Sequence, residues 1–260
     1  MNRIRAIFER HAADRRPLLI PYITPEFPVK GSTVPMMKAL AEAGAAMIEL
    51  GIPFSDPLAD GPTIQYSSDV AIRNGVTLPV LFGLLAEARA SVNVPVLLMG
   101  YVNPVIRYGV ERFVADAQRA GADGFIIPDL PPEESGALRD ACLTRGMSLV
   151  HLIAPTSSDE RIRRIDEAST DFSYCVSVTG VTGDRSAGGP ELGRFLGRVR
   201  ANTSKPFVVG FGISTRDHVA AVLTQADGAV VGSALLKAVS PAASPDEAAR
   251  LAASFLTSLR

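Results

Sequence analysis

Short apolar runs recur along this chain, and a helix-like amphipathic segment follows each of them. Eight runs have the length and the continuous hydrophobicity of buried parallel strands: residues 18–23, 46–52, 95–101, 124–129, 148–154, 172–178, 206–212 and 228–234. The helices that we predict include residues 35–43, 110–120, 133–145, 158–168, 191–201, 215–224 and 245–259. Strands that alternate with helices in this way are typical of parallel α/β folds.

The number of strand–helix units indicates which of the parallel α/β folds the chain adopts. Eight units in 260 residues, with no linker rich in Pro, Gly or Ser, predict a single (β/α)8 (TIM) barrel domain over residues 1–260. The alternative is an open, doubly wound sheet. It fits less well, because the first strand–helix junction has no G-x-G-x-x-G turn with an acidic residue about twenty positions further on.

The bulk composition argues against several kinds of partner. The formal net charge is −1, so there is no global electrostatic reason to expect nucleic acid or a membrane surface. No apolar run approaches the roughly eighteen residues that span a bilayer, and the basic start lacks the apolar core of a secretory signal. The two cysteines, Cys142 and Cys175, suggest no disulfide framework. We expect a cytoplasmic protein.

A glutamate interrupts the second apolar run. Strand alternation sends Met47 and Glu49 to one face and Ile48 to the other, and the outer face of a barrel must meet helices, so Glu49 is expected to point inward. Burial of an isolated carboxylate is costly and raises its pKa. A hydrogen-bonded structural acid is one interpretation. Asp56 and Asp60 follow in the next loop, where barrels carry reactive groups. A carboxylate on this loop, in addition to Glu49, favours a catalytic pair of carboxylates.

Glycine-containing turns follow three of the last predicted strands: TGVTG (179–183), GFGIS (210–214) and GSA (232–234). Backbone amides freed by glycine, together with a short helix that begins near Ser233, make an anion site. Barrels often bind phosphate after strands seven and eight. Each turn alone is an ordinary strand end, but the three at one corner predict a phosphate pocket.

The positions of the remaining reactive side chains argue against several other kinds of catalysis. None of the four lysines is well placed at a strand end to form a Schiff base. The three histidines have no metal-ligand spacing, so no metal site is predicted, and His151 is expected to be a core histidine. No Ser/His/Asp arrangement can be read from the spacing. What remains is acid–base chemistry by carboxylates on a phosphorylated small molecule.

The stretch IELGIPFSDPLADGPTIQ (48–65) closely resembles the signature of the tryptophan synthase alpha subunit family. Further segments match in order along the chain: LIPYIT (19–24), MGYVNPV (99–105), IPDLPPEES (127–135), SVTGVTG (177–183), GFGIS (210–214) and VGSA (231–234). The fold of that family is a (β/α)8 barrel. The resemblance implies a lyase reaction, the retro-aldol cleavage of indole-3-glycerol phosphate to indole and glyceraldehyde 3-phosphate.

The resemblance also implies roles for individual residues. Glu49 matches the family's acid–base residue, and Asp60 matches the residue that interacts with the indole nitrogen. The residues that would contact the substrate are Tyr22, Tyr174, Thr182 and Phe211, and Thr182 would also orient Asp60. Those that would hold the phosphate through backbone amides are Gly183, Gly212, Gly232 and Ser233. The segment 180–190 would form a lid.

The resemblance further implies an αββα assembly, in which indole passes through a channel to a beta subunit that uses pyridoxal phosphate. Asp56 and Pro57, with residues 103–109, would face that partner, and no cofactor is expected in this chain. Two other functions stay open: a free-standing indole-releasing lyase, and a catalytically idle module that binds a phosphorylated ligand. The PEFP turn at 25–28 departs from the family's usual Gly-(Asp or Tyr)-Pro, which leaves the geometry of the first loop unpredicted.

Overall fold

The computed structural model describes residues 3–14, 18–176, 190–210 and 212–260. Within these ranges nine parallel strands form one sheet, in the order β5-β4-β3-β2-β1-β9-β8-β7-β6. The strands are β1 Leu18–Ile23, β2 Ile48–Gly51, β3 Val96–Met99, β4 Gly124–Ile126, β5 Ser148–Val150, β6 Leu152–Ile153, β7 Ser173–Val176, β8 Phe207–Gly210 and β9 Gly228–Val231.

The two ends of this sheet are the two halves of one strand. β5 pairs with β4, β6 pairs with β7, and only His151 separates β5 from β6. The fifth predicted strand therefore closes the sheet on itself. The predicted (β/α)8 barrel is confirmed, and the open doubly wound sheet is wrong.

The described ranges also contain twelve α-helices and one 3₁₀ helix. They are α1 Arg3–Asp14, α2 Thr33–Glu42, α3 Pro62–Arg73, α4 Leu78–Ala88, α5 Val102–Tyr108, α6 Val110–Ala120, η1 Pro132–Glu134, α7 Gly136–Thr144, α8 Asp159–Ala168, α9 Pro190–Asn202, α10 Arg216–Leu223, α11 Ser233–Val239 and α12 Pro245–Ser258. The helix predicted at 133–145 is divided into η1 and α7, and α1, α3, α4 and α5 add to the predicted helices. Ser244 caps α12, because its side chain accepts a hydrogen bond from the Glu247 N–H.

Side chains alternate between two apolar layers. Met47 belongs to the cluster inside the barrel, which Ile4 and Phe8 of α1 close at the N-terminal ends of the strands. Ile48 belongs to the outer layer, between the strands and the helices. This alternation turns Glu49 inward, as the sequence predicts.

Membrane-spanning potential was assessed for the described helices alone. None of them is by itself long and apolar enough to cross a bilayer. Only α3 and α4 taken together reach the required length and composition, and these two helices are bent by 95° at the break between them.

Candidate active site

Glu49 stands on β2 between Tyr22 of β1 and Leu97 of β3, its neighbours in the strand register. Only 1% of its surface is exposed. Neither carboxyl oxygen has a hydrogen-bond partner among the residues that the structure describes. Burial therefore raises the pKa of Glu49 from its usual 4.5 to about 8. A carboxyl with this pKa is mainly protonated at neutral pH and can both donate and accept a proton.

Asp60 lies in the loop between β2 and α3, at the C-terminal mouth of the barrel. Its carboxylate is hydrogen-bonded with the Tyr101 hydroxyl, and the Tyr101 oxygen also accepts from the Ala59 N–H at 3.0 Å. Partial burial raises the pKa of Asp60, and the bond from Tyr101 opposes that rise. Pro62 begins α3 directly after this turn, so the helix start and Tyr101 together fix where the Asp60 side chain points.

Two tyrosines stand beside Glu49. Burial raises the pKa of the Tyr22 and Tyr174 phenols, and the charge of Glu49 adds to the rise in both. A Cβ placed on Gly51 would overlap the Tyr22 hydroxyl, and one on Gly210 would overlap that of Tyr174. Each ring therefore lies against the end of a neighbouring strand, where only glycine leaves room for it. The two rings form flat walls around the carboxyl.

The predicted phosphate residues that the structure describes follow two adjacent strands. Gly212 lies just beyond β8, with φ +65° and open space where a Cβ would be. Gly232 and Ser233 follow β9, where Gly232 precedes the first residue of α11. A Cβ on Gly232 would lie 3.5 Å from the Tyr22 Cβ, so this corner is next to the tyrosine wall. Thr182, Gly183 and Phe211, and residues 180–189 of the predicted lid, lie outside the described residues.

The predicted partner surface is open to solvent. Asp56 is exposed and Pro57 half-buried, and Leu58 beside them is 97% exposed. Ile106 on α5 is 63% exposed. A hollow of about 400 Å³ lies between this loop, α4 and α5, and the Phe54 ring in its lining packs at 5.3 Å against the ring of Tyr101. An exposed apolar surface thus adjoins the residue that binds Asp60.

The PEFP turn builds a second buried carboxylate. Glu26 has a φ of +55°, and its carboxylate accepts hydrogen bonds from the Thr33 hydroxyl at 2.7 Å and the Gly31 N–H at 2.5 Å. Its own N–H donates to Thr33, and its carbonyl accepts from Asn74 at the end of α3. This glutamate is satisfied by its neighbours and ties the first loop to α3, in contrast to Glu49.

His151 lies outside this constellation. Leu149 and Ile153 belong to the outer layer, so His151, at the same parity of the strand, faces the helices. Burial lowers its pKa, and its ring is hydrogen-bonded with the Leu130 carbonyl. The interpretation as a core histidine fits this position. In the described part of the chain no three His, Cys, Asp or Glu side chains are grouped to hold a metal ion.

Sequence reasoning does not single out Tyr101, although its hydroxyl binds Asp60. The available signal is its position as the last residue of the third apolar run, at the C-terminal edge of the predicted barrel. Parallel strands bring such ends to one edge of a barrel. An inventory of polar residues at every strand end would have included it.

A barrel mouth that holds a buried proton-exchanging carboxyl, a second carboxylate and tyrosine walls defines a (β/α)8 enzyme of the acid–base type. Residues 8–258 match the family model described as "Tryptophan synthase alpha chain". The chain belongs to this family.

Individual relatives agree with the family match. The chain is 48% identical over 256 residues to the tryptophan synthase alpha chain of Prosthecochloris aestuarii, with 95% of this chain and 96% of that one covered. It is 49% identical over 268 residues to that of Chlorobium luteolum, with 100% and 98% covered. Tryptophan synthase subunit alpha of Legionella pneumophila str. Paris superposes with a TM-score of 0.91 at 36% identity, covering 100% and 97%. A chain of the tryptophan synthase α2β2 complex of Pyrococcus furiosus gives 0.87 at 40%, covering 93% and 96%.

Proposed function

We propose that this chain cleaves indole-3-glycerol phosphate to indole and glyceraldehyde 3-phosphate. The observation that carries the proposal is the state of Glu49: it points into the barrel mouth, is 1% exposed, and has a pKa raised to about 8. Retro-aldol cleavage of this substrate needs a group that gives a proton to one atom and takes one from another. A carboxyl whose pKa lies near the working pH can do both.

The reaction then runs in two proton transfers. Protonated Glu49 gives its proton to C3 of the indole ring, and positive charge develops at the indole nitrogen, where the Asp60 carboxylate stabilises it. The Glu49 carboxylate next removes the proton of the side-chain hydroxyl adjacent to the C3–carbon bond. That bond breaks as the aldehyde forms, and its electron pair returns to the indole ring. Glu49 is protonated again at the end of the cycle.

The other residues of the proposed pocket contact the indole ring and the phosphate of the substrate. The rings of Tyr22 and Tyr174 give flat surfaces suited to the indole, and Phe211 and Thr182 complete this part in the proposal. The phosphate lies at the backbone amides of Gly183, Gly212, Gly232 and Ser233. Segment 180–190 closes over the bound substrate and excludes water.

We also propose a beta-subunit partner in an α2β2 assembly, with docking at Asp56, Pro57 and α5. The exposed Leu58 and Ile106 beside a hollow of about 400 Å³ supply the apolar contact that such a surface needs. The P. furiosus relative is named as part of an α2β2 complex. Pyridoxal phosphate belongs to the partner in this proposal, and the acid–base steps above use only this chain's own side chains. A cytoplasmic location fits the two buried, unbridged cysteines.

Indole release from indole-3-glycerol phosphate by the purified chain, with and without a beta subunit, tests the proposal. We expect slow release that rises sharply when the partner is added. Fast release that ignores the partner would favour a free-standing lyase. No release from folded protein under either condition would overturn the proposed activity and favour a phosphate-ligand-binding module.

A further inference from the structure

A further carboxylate stands at the barrel mouth, and the proposed reaction does not use it. Asp129 lies in the loop after β4 and accepts a hydrogen bond from the Val102 N–H at 2.9 Å. Val102 is the first residue of α5, and Tyr101 before it is the N-cap residue, whose side chain makes no capping hydrogen bond. Asp129 therefore caps α5 in its place, which leaves the Tyr101 hydroxyl for Asp60.

The turn that carries Asp129 is held by hydrogen bonds of its own. Pro128 and Asp129 occupy the centre of a turn in which the Leu130 N–H donates to the Ile127 carbonyl at 3.1 Å. Proline at the first central position favours such a turn. The Leu130 carbonyl is also hydrogen-bonded with the ring of His151, in the middle of the fifth strand. The Asp129 carboxylate is thus presented from a fixed turn.

The backbone on both sides of Tyr101 is bound to this same part of the chain. On one side the Gly100 N–H donates to the Ile126 carbonyl at 3.1 Å. On the other side the Val102 N–H donates to Asp129. Peptide groups are planar, so fixing the two peptide groups that flank a residue also fixes the direction in which its side chain leaves the backbone. These two hydrogen bonds therefore set the position of the Tyr101 ring.

The Tyr101 hydroxyl has one partner for its proton. Its oxygen accepts from the Ala59 N–H at 3.0 Å, so the proton remains for a second hydrogen bond. Burial raises the pKa of both Tyr101 and Asp60, and the bond between them lowers the pKa of Asp60 and adds to the rise in Tyr101. Donation from the phenol to the carboxylate has this effect. Asp129 and Tyr22 are the other titratable groups that interact with this pair.

We infer that Asp129 is a positioning residue that acts through the start of α5 and holds the Tyr101 hydroxyl where it donates to the Asp60 carboxylate. The inference rests on the proposed function for its catalytic consequence, because in that function Asp60 stabilises the charge at the indole nitrogen. Its structural basis is independent of the reaction. It consists of the hydrogen bonds from Asp129 to the helix start and from Tyr101 to the loop after β2.

Two variants of Asp129 test this inference. Asp129→Ala removes the acceptor of the Val102 N–H, whereas Asp129→Asn keeps a side-chain oxygen that can accept the same bond. Asp129 is exposed, so neither variant opens a cavity in the core. In Asp129→Ala we expect kcat to fall roughly tenfold with little change in KM, since Asp60 acts on charge that develops in the transition state.

Asp129→Asn should restore most of the activity that Asp129→Ala loses. An unchanged kcat in Asp129→Ala would overturn the inference. An equal loss in Asp129→Asn would overturn it as well, because the hydrogen bond to α5 would then not be the cause.

A double-mutant cycle with Tyr101→Phe distinguishes action through the Tyr101 hydroxyl from general support of the loops. Phenylalanine keeps the ring that packs against Phe54 and removes the hydroxyl. In the Tyr101→Phe background Asp129→Ala should have no further effect on kcat. An effect of the same size in both backgrounds would contradict the inference.

Val102→Pro tests the hydrogen bond itself. Proline has no N–H to donate, and it is favoured at the first position of a helix. The extended conformation of Tyr101, with ψ at 156°, suits a residue that precedes proline. Once the donor is gone, Asp129→Ala should change kcat no further. A full effect in the Val102→Pro background would show that Asp129 acts by another route.

Titration of Asp60 by ¹³C NMR keeps this inference separate from the proposed activity, because it needs no substrate. Donation from Tyr101 lowers the pKa of Asp60, so loss of that bond in Asp129→Ala should move the titration midpoint of Asp60 up by about half a pH unit. Equal titration curves in the wild type and the variant would contradict the inference even if the wild type releases indole. A shifted curve without indole release by the wild type would contradict the proposed activity alone.

Discussion

The acids at the N-terminal end of the barrel are held by partners, whereas Glu49 at the C-terminal end is not. At the N-terminal end Asp123 binds Arg3 at 3.0 Å and Arg89 at 2.5 Å, and its carboxylate also accepts from the Val96 N–H. Asp227 is held in a similar way by Arg200 and by the Phe207 N–H, each at 2.9 Å. These acids stand just before strands and fasten a helix or a neighbouring strand to the barrel bottom.

At the C-terminal end the most buried carboxyl has no such support. Glu49 makes no hydrogen bond to any residue that the structure describes, and the nearby side chains are phenols and another acid. A cation beside it would hold it ionised and inert. The difference teaches that a carboxyl group stabilises the fold where it is paired, and stays able to exchange protons where it is not.

The largest expected effect comes from Glu49→Gln, which keeps the size of the side chain and removes its exchangeable acid. Turnover of indole-3-glycerol phosphate should fall about 1000-fold or more, since both proton transfers use this group. Phosphate-ligand binding and the circular dichroism spectrum should remain those of the wild type. Normal turnover in Glu49→Gln would contradict the claim that Glu49, unlike the paired acids at the N-terminal end, transfers protons.

The second prediction concerns the pH dependence of stability that the unpaired Glu49 causes. Between pH 4.5 and about pH 8 the unfolded chain releases the Glu49 proton while the folded chain retains it, so stability present below pH 4.5 is lost as pH rises to about 8. Glu49→Gln lacks this loss. The free energy of unfolding of Glu49→Gln, measured relative to the wild type by urea unfolding, should therefore rise by roughly 3 kcal/mol between pH 5 and pH 8. Parallel curves would mean that the Glu49 pKa is ordinary.

The reciprocal variant is Asp123→Ala at the barrel bottom. It leaves the largely buried Arg89 without its carboxylate and the Val96 N–H without an acceptor. We expect a loss of about 2 kcal/mol in the free energy of unfolding, with kcat unchanged. Urea unfolding and the indole-release assay measure the two quantities on one preparation. A large fall in kcat with stability unchanged would show that the two ends are not separable in this way.

Features that depend on local sequence could be predicted, whereas contacts between residues far apart in the chain could not. The inward direction of Glu49 follows from the two-residue period of a strand, which is local and leaves little choice. The glycine turns after β8 and β9 are local as well. The bond between Arg3 and Asp123 joins residues 120 positions apart, and the bond between Tyr101 and Asp60 depends on how two loops approach each other. No local pattern encodes such partners.

Element bounds show the same limit. The strand predicted at 46–52 is shorter in the structure, Ile48–Gly51, although the N–H groups of Ala46 and Ile52 on either side of it still donate to the carbonyls of Leu19 and Met99. The fifth run is interrupted at His151, where the strand changes from one neighbour to the other. Barrel closure, a property of the whole sheet, sets that break.

The smallest expected effect concerns the phosphate corner. Gly212→Asp places a negative charge after β8, where a side chain has open space but φ is +65°. Asparagine has the same size and also tolerates this backbone conformation, so Gly212→Asn is the matched control. We expect KM for indole-3-glycerol phosphate and the Kd of glyceraldehyde 3-phosphate to be roughly tenfold higher for the Asp variant than for the Asn variant, with the gap narrowing as salt is added. Equal affinities in the two variants would place the phosphate elsewhere, because they differ only in charge.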